Sequence, residues 1–130
     1  MKFLVAYNGS SESMKALYLA VKHAALFNAK IFVVTSMEGG YSEKPDDIAR
    51  VKHGLKAVEK QLEEAGVAHE VHETARGLAP GEDIVIFAEE IGIDHIFVGI
   101  QKKSKTQKLL LGSTAQYIIL KANCPVTTIK

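Results

Sequence analysis

The chain has 130 residues, of which 47% are hydrophobic and 24% charged, the composition of one folded domain and not of a disordered chain or a multidomain enzyme. Its one cysteine, Cys124, excludes an internal disulfide, and a chain of this length buries a core without one. Sixteen basic against fifteen acidic residues leave a net charge of +1, so the chain as a whole has no electrostatic footprint for nucleic acid or membrane. The apolar stretch in MKFLVAYNGS is too short for a signal peptide's core, and no later apolar run approaches membrane-spanning length. A cytoplasmic protein is the expectation.

Residues 2–7 are rich in β-formers (Phe3, Leu4, Val5) and stop at Asn8-Gly9-Ser10-Ser11, so a strand feeds a turn that opens a helix. From Glu12 the period changes: Met14, Leu17, Val21 and Ala24 stand three or four apart, with Ser10 or Ser11 as N-cap. After a break at Asn28, Ile31-Phe32-Val33-Val34 is a continuous apolar run, which suits a strand covered on both faces. Residues 37–44, with Gly39-Gly40, read as a loop. Pro45 followed by Asp46-Asp47 starts a second helix, since proline suits the first turn and carboxylates suit the positive end of the dipole. Ile48, Val51, Leu55, Val58 and Leu62 mark its inward face, and Gly66 ends it.

Residues 67–74 alternate imperfectly as a third strand. A loop over 75–81 precedes a helix with Ile84, Val85, Ala88 and Ile91 inward, closed by Gly92. Residues 94–100 form a fourth strand centred on Ile96-Phe97-Val98, Gly112-Ser113-Thr114 opens a last helix to about Ala122, and residues 125–129 form the fifth strand. Strands alternating with helices predict one α/β domain over residues 1–130, a doubly wound parallel sheet of five strands with right-handed crossovers and helices on both faces. In such a sheet ligands sit outside the carboxyl ends of the strands where strand order reverses, which singles out the loops after strands one and four.

Other chemistry fails on spacing. His69 and His72 stand three apart in a predicted strand and point to opposite faces, a poor metal pair, and His23, His53 and His95 show no ligand spacing. Gly9-Ser10-Ser11-Glu12-Ser13 lacks the second glycine of a nucleophile elbow. Cys124, before a proline, reads as a small packed residue and not a reactive thiol. With no tryptophan and no basic patch interleaved with aromatics, nucleic acid is not an expected partner.

The loop after strand four is the informative one. From Gly99 to Lys130 there are six lysines (Lys102, Lys103, Lys105, Lys108, Lys121 and Lys130) and no carboxylate, a local attractor for anions such as phosphate or simply a solvated loop. Gly99, Gly112 and Ser113 fall at the spacing of a glycine motif, with Lys102 where that motif has its second glycine. Together with Tyr7-Asn8-Gly9-Ser10, Leu109-Leu110-Leu111-Gly112-Ser113 and Asn123-Cys124-Pro125-Val126, these residues give the whole chain a resemblance to the universal stress protein family. The resemblance implies strand order 3-2-1-4-5 and an adenine nucleotide (ATP, ADP or AMP) at the carboxyl ends of the strands. It places that nucleotide against Asn8, Gly9, Ser36, Gly99, Gln101, Lys102, Gly112, Ser113 and Thr114, with Mg2+ accompanying ATP.

Each part of the motif has a physical reading. Glycine at 99 lets backbone turn and approach a phosphate or ribose closely, and Gly112 opens a helix whose first amides, with the Ser113 hydroxyl, make an anion site. A turn and a helix cap would use the same residues. Lys102 is open in two directions: its ammonium reaches a phosphate, or its bulk opens the loop and weakens triphosphate binding. Asn8, where the family has an aspartate, keeps an acceptor and adds a donor, or only supports the turn with Gly9. Ser36 is expected to meet the adenine edge through its backbone.

The resemblance implies a stress-response regulatory or sensing module that binds an adenine nucleotide, and it allows slow ATP hydrolysis at most, since no general base, metal cluster or nucleophile dyad is visible in the sequence. The alternative is a nucleotide-free member acting through dimerisation and protein contacts, with some protein partner that the sequence does not name; a weak ATPase comes third. The fifth strand is an edge in the implied order. Val126, Thr127, Thr128 and Ile129 carry no charge, so a homodimer through this strand is expected, as the resemblance also implies.

Overall fold

The structure, a computed structural model, describes residues 1–37, 45–101 and 111–130, without the side chain of Asp47. The elements alternate throughout: β1 (Lys2–Ala6), α1 (Ser11–Phe27), β2 (Lys30–Ser36), α2 (Pro45–Ala65), β3 (His69–Thr74), α3 (Pro80–Ile91), β4 (His95–Gly99), α4 (Ser113–Lys121) and β5 (Val126–Ile129). All strand pairs are parallel and the order is β3-β2-β1-β4-β5, the doubly wound arrangement. Among the described helices none is long and apolar enough to cross a membrane.

Central β1 and β2 are buried because each has a strand on both sides and helices on both faces. Alternation along β1 then divides the core. Phe3 and Val5 pack with Ala16, Leu17, Ala20 and Ala24 of α1 and with Leu55, Val58 and Leu62 of α2. Leu4 and Ala6 pack on the other face with Ile84, Val85, Phe87 and Ala88 of α3 and with Ala115 and Ile118 of α4. The outer strands β3 and β5 are only half-buried, which accounts for the imperfect alternation of β3.

Cap chemistry sets the helix limits. The Ser10 hydroxyl accepts from the Ser13 N–H at the start of α1, and Asn28, left-handed with φ 51°, closes it. Gly66 and Gly92 end α2 and α3 with positive φ, as the sequence predicts. The third strand begins two residues later than predicted because Gly66 and Val67 still donate to Glu63 and Leu62 of the helix before it. The fifth begins at Val126 because Pro125 has no N–H to offer, although its carbonyl accepts from Ile96 at 3.0 Å.

Candidate functional site

The carboxyl ends of β1, β2 and β4 and the first turns of α3 and α4 surround a cleft of about 270 Å³. The wall after β1 is built locally. The Asn8 side-chain oxygen accepts from the Ser10 N–H at 3.0 Å, Gly9 takes φ 84°, and the buried Ser13 hydroxyl donates to the Ser10 carbonyl at 2.8 Å. Asn8 therefore supports the turn, its acceptor oxygen engaged in it, and also lines the cleft. Gly9 belongs to the turn and is not one of the lining residues.

The wall after β4 holds Gly99 and Gln101. Gly99 does not have the positive φ that a special turn would demand. Its α-carbon instead rests on the first turn of α1, where an added Cβ would lie 2.6 Å from the Glu12 carbonyl oxygen and 2.7 Å from the Ser13 nitrogen. The sequence reading of this glycine as freedom to turn is thus corrected: it is clearance between a strand end and a helix. The Gln101 amide reaches Glu12 at 3.5 Å. Hydrogen bonding from its own backbone N–H, then from Gln101 and Ser11, holds the Glu12 carboxyl below the usual carboxylate range against an opposing push from burial. Lys102, Lys103, Lys105 and Lys108 lie outside the described residues.

Gly112, Ser113 and Thr114 complete the floor. Gly112 is the N-cap of α4 with φ −63° and ψ 154°, a conformation open to any residue, and supplies no capping side chain. A Cβ there would meet nothing within 4 Å. Backbone need is therefore not the reason for glycine at this position, and the first residues of α4, without a side-chain cap, line the cleft. Among the described lining residues none carries a charged side chain; the polar groups are hydroxyls, amides and backbone.

Several residues that the motif reading passes over also line the cleft. Tyr7 is one, buried to 6% exposure, which raises its hydroxyl above the ordinary value, and Gly54 of α2 leaves the room its oxygen occupies. Pro80 and Ile84 of α3 form the wall beside Ser36. Behind that wall lies Asp83, fully buried. Its Oδ2 accepts from the Ser36 hydroxyl at 2.6 Å and the Thr74 hydroxyl at 2.5 Å, and Arg76 Nε stands 3.3 Å from Oδ1. Glu90 holds the same guanidinium through both carboxylate oxygens, and this hydrogen bond raises the Arg76 pKa. A signal for Asp83 exists in the sequence: it stands one turn before Phe87, on the apolar stripe of α3.

Away from the cleft, His69 and His72 do face opposite sides, His72 stacking near Phe32 and Phe87 while His69 lies with Glu59 and Glu63 of α2. One ligand atom from each of Glu59, Glu63 and His69 comes within 4.8 Å of the other two, a grouping the sequence spacing does not show. Exposed groupings of this kind are common, and we assign this one no role. Cys124 is half-buried, and burial first, then Asp94, pushes its thiol upward, in keeping with a packed side chain.

A family model described as Universal stress protein family matches residues 1–130. A universal stress protein of Methanocaldococcus jannaschii is 31% identical over 141 residues, covering 99% of this chain and 81% of that protein. The structure of a universal stress protein from Archaeoglobus fulgidus superimposes with a TM-score of 0.89 at 38% identity, covering 100% of this chain and 98% of the other. A universal stress protein from the same organism, solved in complex with dAMP, gives 0.82 at 34% identity, with the same coverage of each chain.

Proposed function

The chain belongs to the universal stress protein family, and from that premise we propose that it binds an adenine nucleotide in the cleft and serves as a regulatory or sensing module. One observation carries the reading: Asn8, Ser36, Gly99, Gln101, Gly112, Ser113 and Thr114, distant in sequence, line a single cleft onto which the uncapped amino end of α4 opens. Amide donors at a helix start favour a phosphate, and the Ser113 and Thr114 hydroxyls add donors to the same place. The base then lies toward Ser36, Pro80 and Ile84, where apolar wall and strand-end backbone meet. The dAMP bound by the similar Archaeoglobus fulgidus protein supports a monophosphate as first probe. With ATP, Mg2+ would accompany the phosphates outside these contacts.

Two measurements test this. Small molecules released from the purified protein are identified by mass spectrometry, and the emptied protein is titrated calorimetrically with AMP and with ATP, with and without Mg2+. Saturable binding of either nucleotide supports the reading. A protein that releases none and gives no heat with either overturns it and favours the nucleotide-free alternative.

We also propose that two copies pair along β5. The carbonyls of Pro125 and Ile129 accept from Ile96 and Ile100, so in a parallel ladder the alternate residues Val126 and Thr128 turn their backbone groups to the open edge. With Thr127 and Ile129 between and beside them, no charge interrupts this row.

A further inference from the structure

Among the described residues Asp83 alone is a buried charged side chain: a carboxylate with no exposed surface, placed between two strand ends and the first turn of a helix. Burying such a group is costly unless it is hydrogen-bonded and paired, and here both conditions are met. Oδ2 takes the Ser36 and Thr74 hydroxyls, which face one another in the register of β2 with β3, and Arg76 stands beside Oδ1. Oδ1 has no hydrogen bond, the Arg76 approach being an ion pair without hydrogen-bond alignment.

The direction of the Ser36 bond has a chemical consequence. The Ser36 hydroxyl is the donor and Asp83 Oδ2 the acceptor, so the proton between them is the serine's own. A hydroxyl has one proton. With it committed at 2.6 Å to Asp83, Ser36 offers only lone pairs to anything else, and Ser36 lines the cleft. We propose that Asp83 is a positioning residue that makes Ser36 an acceptor-only group, selecting a base that presents an exocyclic amine over one that presents an oxygen at the same position. The inference rests on the nucleotide-binding reading above and deepens it: adenine is accepted at this corner, and its 6-oxo counterpart hypoxanthine is refused because two acceptors would meet without a proton between them.

The test is the ratio of AMP to IMP affinity, measured by calorimetry on the intact protein. Wild type should prefer AMP by about tenfold or more, the range expected when a donor is replaced by an acceptor against a fixed acceptor. In Asp83→Asn the amide oxygen is drawn to Arg76, which leaves the amide NH2 facing the two hydroxyls. Ser36 then accepts from Asn and its proton is free for the cleft, so the preference should fall to about threefold or less. Ser36→Ala removes the group altogether and should lower the preference likewise, which keeps the test decisive where the buried amide impairs folding. A loss of packing alone would weaken AMP and IMP in parallel. If AMP binds wild type and the ratio is unchanged in both variants, the inference is overturned while the nucleotide site stands. If wild type binds no AMP, both fall.

Discussion

Gly99 and Glu12 are in contact through backbone alone: the end of β4 meets the first turn of α1 so closely that a Cβ at 99 would stand 2.6 Å from the Glu12 carbonyl oxygen. Helix backbone cannot yield as a flexible side chain can. Gly99→Ala should therefore lower stability by about 2 kcal/mol or more, the scale of overpacking against rigid neighbours. Urea unfolding of the two proteins checks it, and an alanine variant of wild-type stability would show that the helix end gives way.

Gly112 predicts the opposite pattern. Its dihedrals suit any residue and its Cβ direction is empty, so Gly112→Val should cost stability less than about 1 kcal/mol, the scale of a poorer N-cap. The branched side chain would occupy the space above the α4 amides, and AMP affinity should drop by about tenfold or more as the phosphate is displaced. Calorimetric titration reads the affinity and urea unfolding the stability. Equal affinities would remove the phosphate from this end of the cleft.

His95 gives a pH dependence with a definite sign. Burial, and secondarily the neighbouring His23, lowers its pKa, while its ring stacks on Phe97 and its Nε2 meets the Thr127 hydroxyl at 2.6 Å. The unfolded chain thus binds the His95 proton at a higher pH than the folded one. Its contribution to stability is present above the unfolded value near 6.5 and is lost as pH falls through the lower folded value. Urea midpoints at pH 7.5 and pH 5.5 should separate more for wild type than for His95→Gln; equal separations would show that the ring does not titrate in this way.

The β5 edge makes a prediction about assembly. Thr128 turns its N–H outward, so Thr128→Pro removes a donor from the open edge and none from the ladder with β4. Sedimentation equilibrium should give a dimer for wild type and a monomer for the variant, with the far-ultraviolet dichroism of the two alike. A wild-type protein that remains monomeric at high concentration ends the proposal.

Periodicity and punctuation in the sequence carry the element order, because the helices carry apolar stripes and several breaks carry a capping residue: Ser10 before α1, Asn28 after it, Gly66 and Gly92 after α2 and α3. The strand order comes from resemblance and not from periodicity, since no local signal tells β1 to lie between β2 and β4. Distant partners explain what spacing cannot show. Asp83 answers to Ser36, Thr74 and Arg76, and the reason for glycine at 99 lies in residues 12 and 13. Lys102, the chief departure from the family motif, lies outside the described residues.

One more glycine shapes how the cleft behaves mechanically. Gly81, in the first turn of α3, lies against α4 so tightly that a Cβ would come 2.8 Å from the Cβ of Tyr117 and 3.1 Å from the Thr114 carbonyl oxygen. The beginnings of α3 and α4 are packed directly against one another. Pro80 and Ile84 of one helix and Ser113 and Thr114 of the other line the same cleft, so this contact sets the spacing between them. In the proposed nucleotide site, packing this tight would hold that side of the cleft in place before a ligand arrives, leaving little ordering entropy to lose there. A methyl group at 81 would lever the helices apart and shift Pro80 and Ile84 relative to Ser113 and Thr114 without itself lining the cleft.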